Sequence, residues 1–333
     1  MGKVTFEIIE NYKPDAVNYK NIGRAMKLTN GIYDVIVTLD VGPRIMHYSL
    51  CGQPNMLNDD CALVENMPDG KVWYSYGGHR VWHAPEAFPR SYAIDDIPLE
   101  KYELTENGII MYRQVEEWSL IQKIIEVELL DDRMIVYNRL VNKGAWAIEM
   151  AVWGQTSFSK DCLLICPVTQ RGTGLLPNTA YVMWPYARMN DPRPYFGQRF
   201  ITVNTDSVNP EAFKFGYADE MGWAAIINYG QCMIKAFEHD RKGTYPDMGC
   251  SFESYTQDWG GEFEDLTPLK VVKPGKTFEH KNEWFLFGDV KRPDPRNEDE
   301  VSAVMAPLLE KAGLELPVAS GSVWDPYFEE EDE

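Results

Sequence analysis

The chain is short of positive charge. Its 333 residues carry 32 Lys and Arg against 51 Asp and Glu, a formal net charge of −19. Phosphate recognition needs a basic footprint, so no nucleic-acid partner is expected. Long apolar runs are also missing: none approaches the ~20 residues of a membrane-spanning helix, which predicts a soluble protein with no membrane partner. Cysteine is sparse, with Cys51, Cys61, Cys162, Cys166, Cys232 and Cys250 spread along the chain and no C-x-x-C pair. That usage does not make a disulfide framework. The opening Met1–Phe6 has neither a signal-peptide apolar stretch nor the Ser or Thr of a myristoylation signal. A cytoplasmic location with buried, reduced thiols is therefore expected. Nucleophile and phosphate motifs are lacking as well. There is no G-x-S-x-G, and Arg171-Gly172-Thr173-Gly174 is too short for a P-loop and has no following Lys-Ser/Thr. No cofactor is expected, and five scattered histidines without grouped cysteines predict no transition-metal site.

What the chain does have is aromatic residues, 13% of the total with 10 Trp and 18 Tyr. Such rings fill β cores, and they also stack on the C–H faces of sugars. Short alternating runs dominate the sequence: Val4–Glu10, Tyr33–Leu39, Ser119–Leu130, Arg133–Val141, Trp146–Trp153 and Leu163–Pro167. Further on come Phe200–Val203, Trp223–Tyr229, Cys232–Glu238, Leu269–Val272 and Glu283–Phe287. Turn residues such as Asn30-Gly31, Asn107-Gly108 and Pro274-Gly275 separate them. Strands at about ten-residue spacing predict an all-β, mostly antiparallel sandwich or barrel over residues 1–290. Residues 291–333 read as a helical appendage and an acidic tail. Asn297 caps, Glu300 follows three residues later, and apolar residues recur at helical spacing up to Gly313. Pro307 inside that pattern predicts a kink or a split.

Two clusters carry candidate chemistry. The first is Tyr74 to Glu86, where His79, Arg80, Trp82, His83 and Glu86 follow Gly77-Gly78. The glycines permit backbone geometry closed to other residues, and a guanidinium offers five fixed donors to hydroxyls or a carboxylate. The competing reading is a surface loop anchored by its tryptophans. The second cluster runs from Lys235 to Glu264 and includes His239, Tyr245, Asp247, Tyr255, Trp259, Glu262 and Glu264. In a strand, Glu262 and Glu264 share one face, where they are either solvated or poised for acid–base work. Trp82, Trp184 and Trp259 are the candidate stacking platforms, and Arg171 is a second candidate anion-binding group.

The order of several segments resembles the galactose mutarotase-like family, which includes the aldose 1-epimerases. The segments are Val37-Thr38-Leu39-Asp40-Val41-Gly42-Pro43-Arg44-Ile45, Tyr76 to Glu86, and Asn138-Arg139-Leu140-Val141-Asn142-Lys143-Gly144. Glu262-Phe263-Glu264-Asp265-Leu266-Thr267-Pro268, Pro274-Gly275 and Glu283-Trp284-Phe285-Leu286-Phe287 close the series. The resemblance implies a β-supersandwich acting on a small-molecule carbohydrate, with a glutamate as base and a histidine as acid. Glu264 matches the glutamate best, with Glu262 as the alternate. The histidine does not carry over, because the corresponding run here reads Trp153-Gly154-Gln155-Thr156. His79, or else His83, is then the expected acid. An isomerase is the first expectation, with a glycoside hydrolase, a polysaccharide lyase or a non-catalytic sugar binder as alternatives. A homodimer is compatible with the sequence.

Overall fold

The computed structural model describes residues 2–13, 22–59, 63–169, 178–205 and 208–318. Arg171, Cys61 and the acidic run Glu329 to Glu333 lie outside these. Alternating β-branched and aromatic residues give two large sheets, and every strand pairing in them is antiparallel. The all-β antiparallel sandwich that the sequence predicts is thus present. At the centre of one sheet lie, in order, His79–Ala84, Ile148–Ser159, Gly260–Leu266, Phe252–Gln257 and Phe213–Tyr217. The centre of the other is formed by Trp223–Asn228, Gln231–Phe237, Thr277–Phe287, Met134–Asn142 and Ile121–Leu129. Their facing side chains, among them Val81, Phe213, Phe215, Phe252, Phe263 and Trp284, form the main core.

Three expectations need correction. The segment from His79 to Ala84 is a strand rather than a surface loop, and all six of its residues are buried. It is entered through Tyr76, Gly77 and Gly78, which all have positive φ (56°, 69° and 67°). At Gly78 a Cβ would lie 2.4 Å from the carbonyl oxygen of Ile45, so glycine is required there. The second correction is the helix, which runs unbroken over Glu298–Ala312 with Pro307 inside it. Pro307 sits on the solvent side, as does Ala303, whose carbonyl loses its helical donor and is open to water. Lastly, Cys51 is exposed, whereas the other described cysteines are buried.

The helix caps as its sequence predicts. Asn297 accepts from the amides of Asp299 and Glu300, and Gly313 closes the helix in the left-handed conformation. Its apolar stripe of Val301, Met305, Leu308 and Leu309 covers the outer face of the second sheet, over Leu163, Ile165, Phe200, Trp223 and Ile234. Among the described residues no helix is long and apolar enough to cross a membrane. Because Met305 is fully buried, Met305→Ala is expected to lower stability by about 2–5 kcal/mol. Urea unfolding followed by far-UV circular dichroism checks this, and a loss under ~0.5 kcal/mol would mean that the helix adds no packing.

Candidate active site

Side chains alternate across a strand, so register decides which groups meet on one face. On the outward face of the first sheet, Arg80 stands opposite Gln155, Gln155 opposite Glu264, Glu264 opposite Glu253, and Glu253 opposite Gly216. The next row is Ser157, Glu262, Tyr255 and Lys214. A third pairs Trp82 with Trp153 and Trp153 with Leu266. Five charged groups are thereby gathered on a floor that is almost wholly buried. At Gly216 a Cβ would come within 2.7 Å of Cys250 Sγ and 3.1 Å of Glu253 Cγ, so the bare position makes room for the carboxylate beside it.

The charges sort into two groups. Arg80 donates to both oxygens of Glu262 (2.7 and 3.3 Å), and Ser157 Oγ donates to the same carboxylate (3.0 Å). Burial opposes the ionised form of Glu262, but the guanidinium and these hydrogen bonds hold its pKa below the ordinary value. Its lone pairs are committed, which argues against the base role considered for it. Lys214 forms the second group. Its Nζ lies 2.7 Å from Glu253 Oε2 and 3.0 Å from Glu264 Oε2, while Trp153 Nε1 donates to Glu264 at 2.9 Å. Burial works against the ammonium, yet the two carboxylates outweigh it and raise the Lys214 pKa well above its usual value.

One cation cannot neutralise two buried carboxylates. Burial is the largest cause raising Glu264 to about 7. Lys214 pulls it back, and Glu262 pushes it up again. Burial likewise raises Glu253 to about 8, with Lys214 opposing and Glu264 adding to it. Near neutral pH the two carboxyls therefore share one proton across a permanently charged lysine.

Aromatic side chains rim the floor. Trp73, Trp82, Tyr92 and Trp153 form an edge-to-face cluster on one side. Trp82 was expected as a platform, but its ring is boxed in by this cluster and by Arg80, 5.0 Å from its centre, so it is a wall. On the other side Trp184 lies 4.5 Å from Lys214, Tyr186 packs edge-on against Tyr255, and Tyr255 stacks with Trp259. Trp184, Tyr255 and Trp259 are thus at the rim, partly exposed. Glu86 is exposed and accepts from the Tyr92 hydroxyl (2.5 Å). Asp247 has a positive φ of 51°, and its charge adds to the upward shift of Glu253. His239 and Tyr245 stack on one another, with His239 bonded to Ser251 and Tyr245 accepting from the Asp240 amide.

The two histidines expected as acids face away from this floor. His79 and His83 alternate with Arg80 and Trp82 along one strand, so they point to its other face. His79 lies between the sheets, 2.8 Å from Thr156 Oγ1 and 2.9 Å from Asn138 Oδ1. Asn138 gives its amide hydrogens to Asn282, so its oxygen accepts from His79 Nε2, which fixes a neutral tautomer. Burial, then Lys235, pushes the His79 pKa down to about 3. His83 is pushed down to about 4 by burial and by Lys123. Neither carries a proton to give at pH 7. Sequence reasoning also missed Lys214, and it left Glu253, which lies in the second cluster, without a role. Both lie in aromatic alternations, Phe213-Lys214-Phe215 and Phe252-Glu253, where inward-facing rings place them on the outer face.

The carboxyl pair makes stability depend on pH. Glu264 and Glu253 have raised pKa values in the folded state, so the native protein holds more protons than the unfolded chain. Stability from this source is present below the unfolded carboxylate value of about 4.3 and is lost as pH rises to about 8. Glu253→Gln is expected to flatten that decline, as measured by urea midpoints from pH 5 to 9. An unchanged slope would contradict the shared proton.

No family model matches the chain, and no curated protein matches it in sequence. Solved structures do match it. A galactose mutarotase-like protein from Lactobacillus casei superposes with a TM-score of 0.51 at 9% identity, over 79% of this chain and all of that one. A galactose mutarotase-like protein from Clostridium acetobutylicum gives 0.50 at 11% identity, over 86% of this chain and 98% of that one. A TPR-domain containing protein from Parabacteroides distasonis gives 0.56 at 12% identity, over 97% of this chain and 65% of that one. At these identities the likeness is one of architecture, and the chain has the galactose mutarotase-like β-sandwich fold.

Proposed function

We propose that the protein binds a sugar on this outward face and interconverts its anomers by acid–base chemistry. One observation carries the reading. The buried floor and its wall hold polar atoms without a hydrogen-bond partner among the described residues. They are Arg80 Nε, Trp73 Nε1 and Trp82 Nε1 as donors, with Gln155 Oε1 and Glu253 Oε1, the oxygen turned away from Lys214, as acceptors. Buried polar atoms are costly to leave unpaired, and a polyhydroxylated ring supplies both donors and acceptors.

In this reading Glu264, whose carboxylate accepts from Trp153 as well as from Lys214, takes the proton from the anomeric hydroxyl. Glu253 holds the shared proton and gives it to the ring oxygen. The C1–O5 bond breaks and a carbonyl forms at C1. After rotation about C1–C2 the C5 hydroxyl attacks the other face, returning its proton to Glu253 while Glu264 reprotonates the carbonyl oxygen. Lys214 stays charged throughout and balances the negative charge as it moves between the two carboxyls. Arg80, fixed by Glu262, orients the hydroxyls. No histidine is needed, which accords with glutamine at position 155.

The rate is expected to peak between about pH 7 and 8, where the pair holds one proton, and to fall on both sides. Anomer-resolved NMR on glucose, galactose, mannose, xylose and glucuronate measures it. Glu264→Gln should slow interconversion ~10²-fold or more and leave binding intact. Wild-type rates in that variant would refute the assignment. Loss of binding without a separate loss of turnover would favour a sugar-binding protein that does no chemistry.

A further inference from the structure

A concavity of about 610 Å³ shares Tyr92 with the aromatic wall of the candidate active site. Three segments enclose it: the hairpin from Met67 to Tyr74, the stretch from Arg90 to Ile97 and the loop from Arg113 to Ser119. Tyr92 belongs to both places. It lines the cavity, and its ring packs 5.0 Å from Trp82 and 5.1 Å from Trp73 in the wall of the charged floor. We propose that the cavity holds the next sugar unit of a chain, so that the ligand is an oligosaccharide with a free reducing end rather than a free hexose. This inference rests on the sugar-binding reading above.

The lining has the chemistry for such an occupant. Trp118 stands at the rim, 56% exposed, with no aromatic or cationic partner among the described residues. Tyr74 and Tyr92 supply further ring surface. The lining also carries Asp69, Lys71, Arg90, Asp96, Gln114 and Glu117, of both charge signs and none, which suits neutral hydroxyls better than a phosphate or a cation. The volume lies within the range of small-molecule sites.

The walls are also held in place from behind. Arg44 pairs with Asp95 (2.8 Å), Asp95 with Arg113 (3.2 Å), Arg113 with Glu116 (3.4 Å) and Glu116 with Lys123 (2.8 Å), all of them buried. Buried ion pairs add little net stability over apolar packing, but they fix geometry. This ladder ties the stretch carrying Tyr92 to the loop carrying Trp118. Ser119 Oγ, bonded to Glu116 at 2.5 Å, sets the turn that presents the indole.

The test compares glucose and galactose with maltose, cellobiose and lactose by isothermal titration calorimetry. The protein is the full chain, as wild type, Trp118→Ala and Trp118→Phe. At least one disaccharide should bind wild type about tenfold tighter than its parent hexose. Trp118→Ala should erase that advantage without changing hexose affinity, and Trp118→Phe should restore most of it. If a hexose binds and no disaccharide binds tighter, or if Trp118→Ala changes nothing, the inference fails while the sugar-binding reading stands. If no sugar binds at all, both fail. Because Trp118 is largely exposed, unchanged thermal unfolding of the variants is the expected control.

Discussion

Everything at the outward face depends on one electrostatic constraint, the burial of three carboxylates with only two cations. Arg80 is spent on Glu262, and that pair sits in bidentate geometry with a serine hydroxyl on one of the same oxygens. Lys214 is left to serve Glu253 and Glu264 together. Removing charge from water is expensive, and the cheapest remedy is to keep a proton. A site built this way is set near neutrality by its own composition, and it needs no imidazole to hold an exchangeable proton.

The same strands do different work on their two faces. Residues flanking the site floor in sequence point inward and interlock between the sheets. Asp265, next to Glu264, contacts Lys235, His280 (2.5 Å) and Asn282 (2.7 Å). Thr156, next to Gln155, receives a hydrogen bond from Lys235 (2.9 Å) and meets His79, the neighbour of Arg80. Arg80, Gln155 and Glu264 are thereby each anchored through an adjacent residue to the opposite sheet. Floor positions on rigid, satisfied strands hold their geometry better than groups carried on loops.

The fold was largely legible because half-exposed strands alternate visibly. Tyr33–Thr38 shows this in its burial. His79–Ala84 was illegible for the converse reason: a strand buried on both faces has no polar alternation, and its glycine-rich approach looks like a loop. Reading it as a loop hid the parity that separates His79 from Arg80. Glu262 and Glu264 were found because they neighbour one another on a single strand. Lys214 was not, and Glu253 gained no role, since their meeting with Glu264 depends on long-range register between strands. Pro307 misled in a simpler way, because a proline on the solvent side of a packed helix leaves only a carbonyl that water can satisfy.

The shared proton is the claim on which the chemistry turns, and a carboxyl titration reads it directly. With glutamate side chains labelled at the carboxyl carbon, NMR spectra from pH 4 to 9 follow each group. Glu253→Gln and Glu264→Gln provide the assignments. One resonance pair is expected to titrate near neutrality, at about 7 and about 8, and the surviving carboxyl in either variant should titrate lower, once its partner's charge is gone. Glutamate resonances that all finish titrating below pH 5.5 would mean that both carboxylates are ionised at pH 7, which contradicts the account.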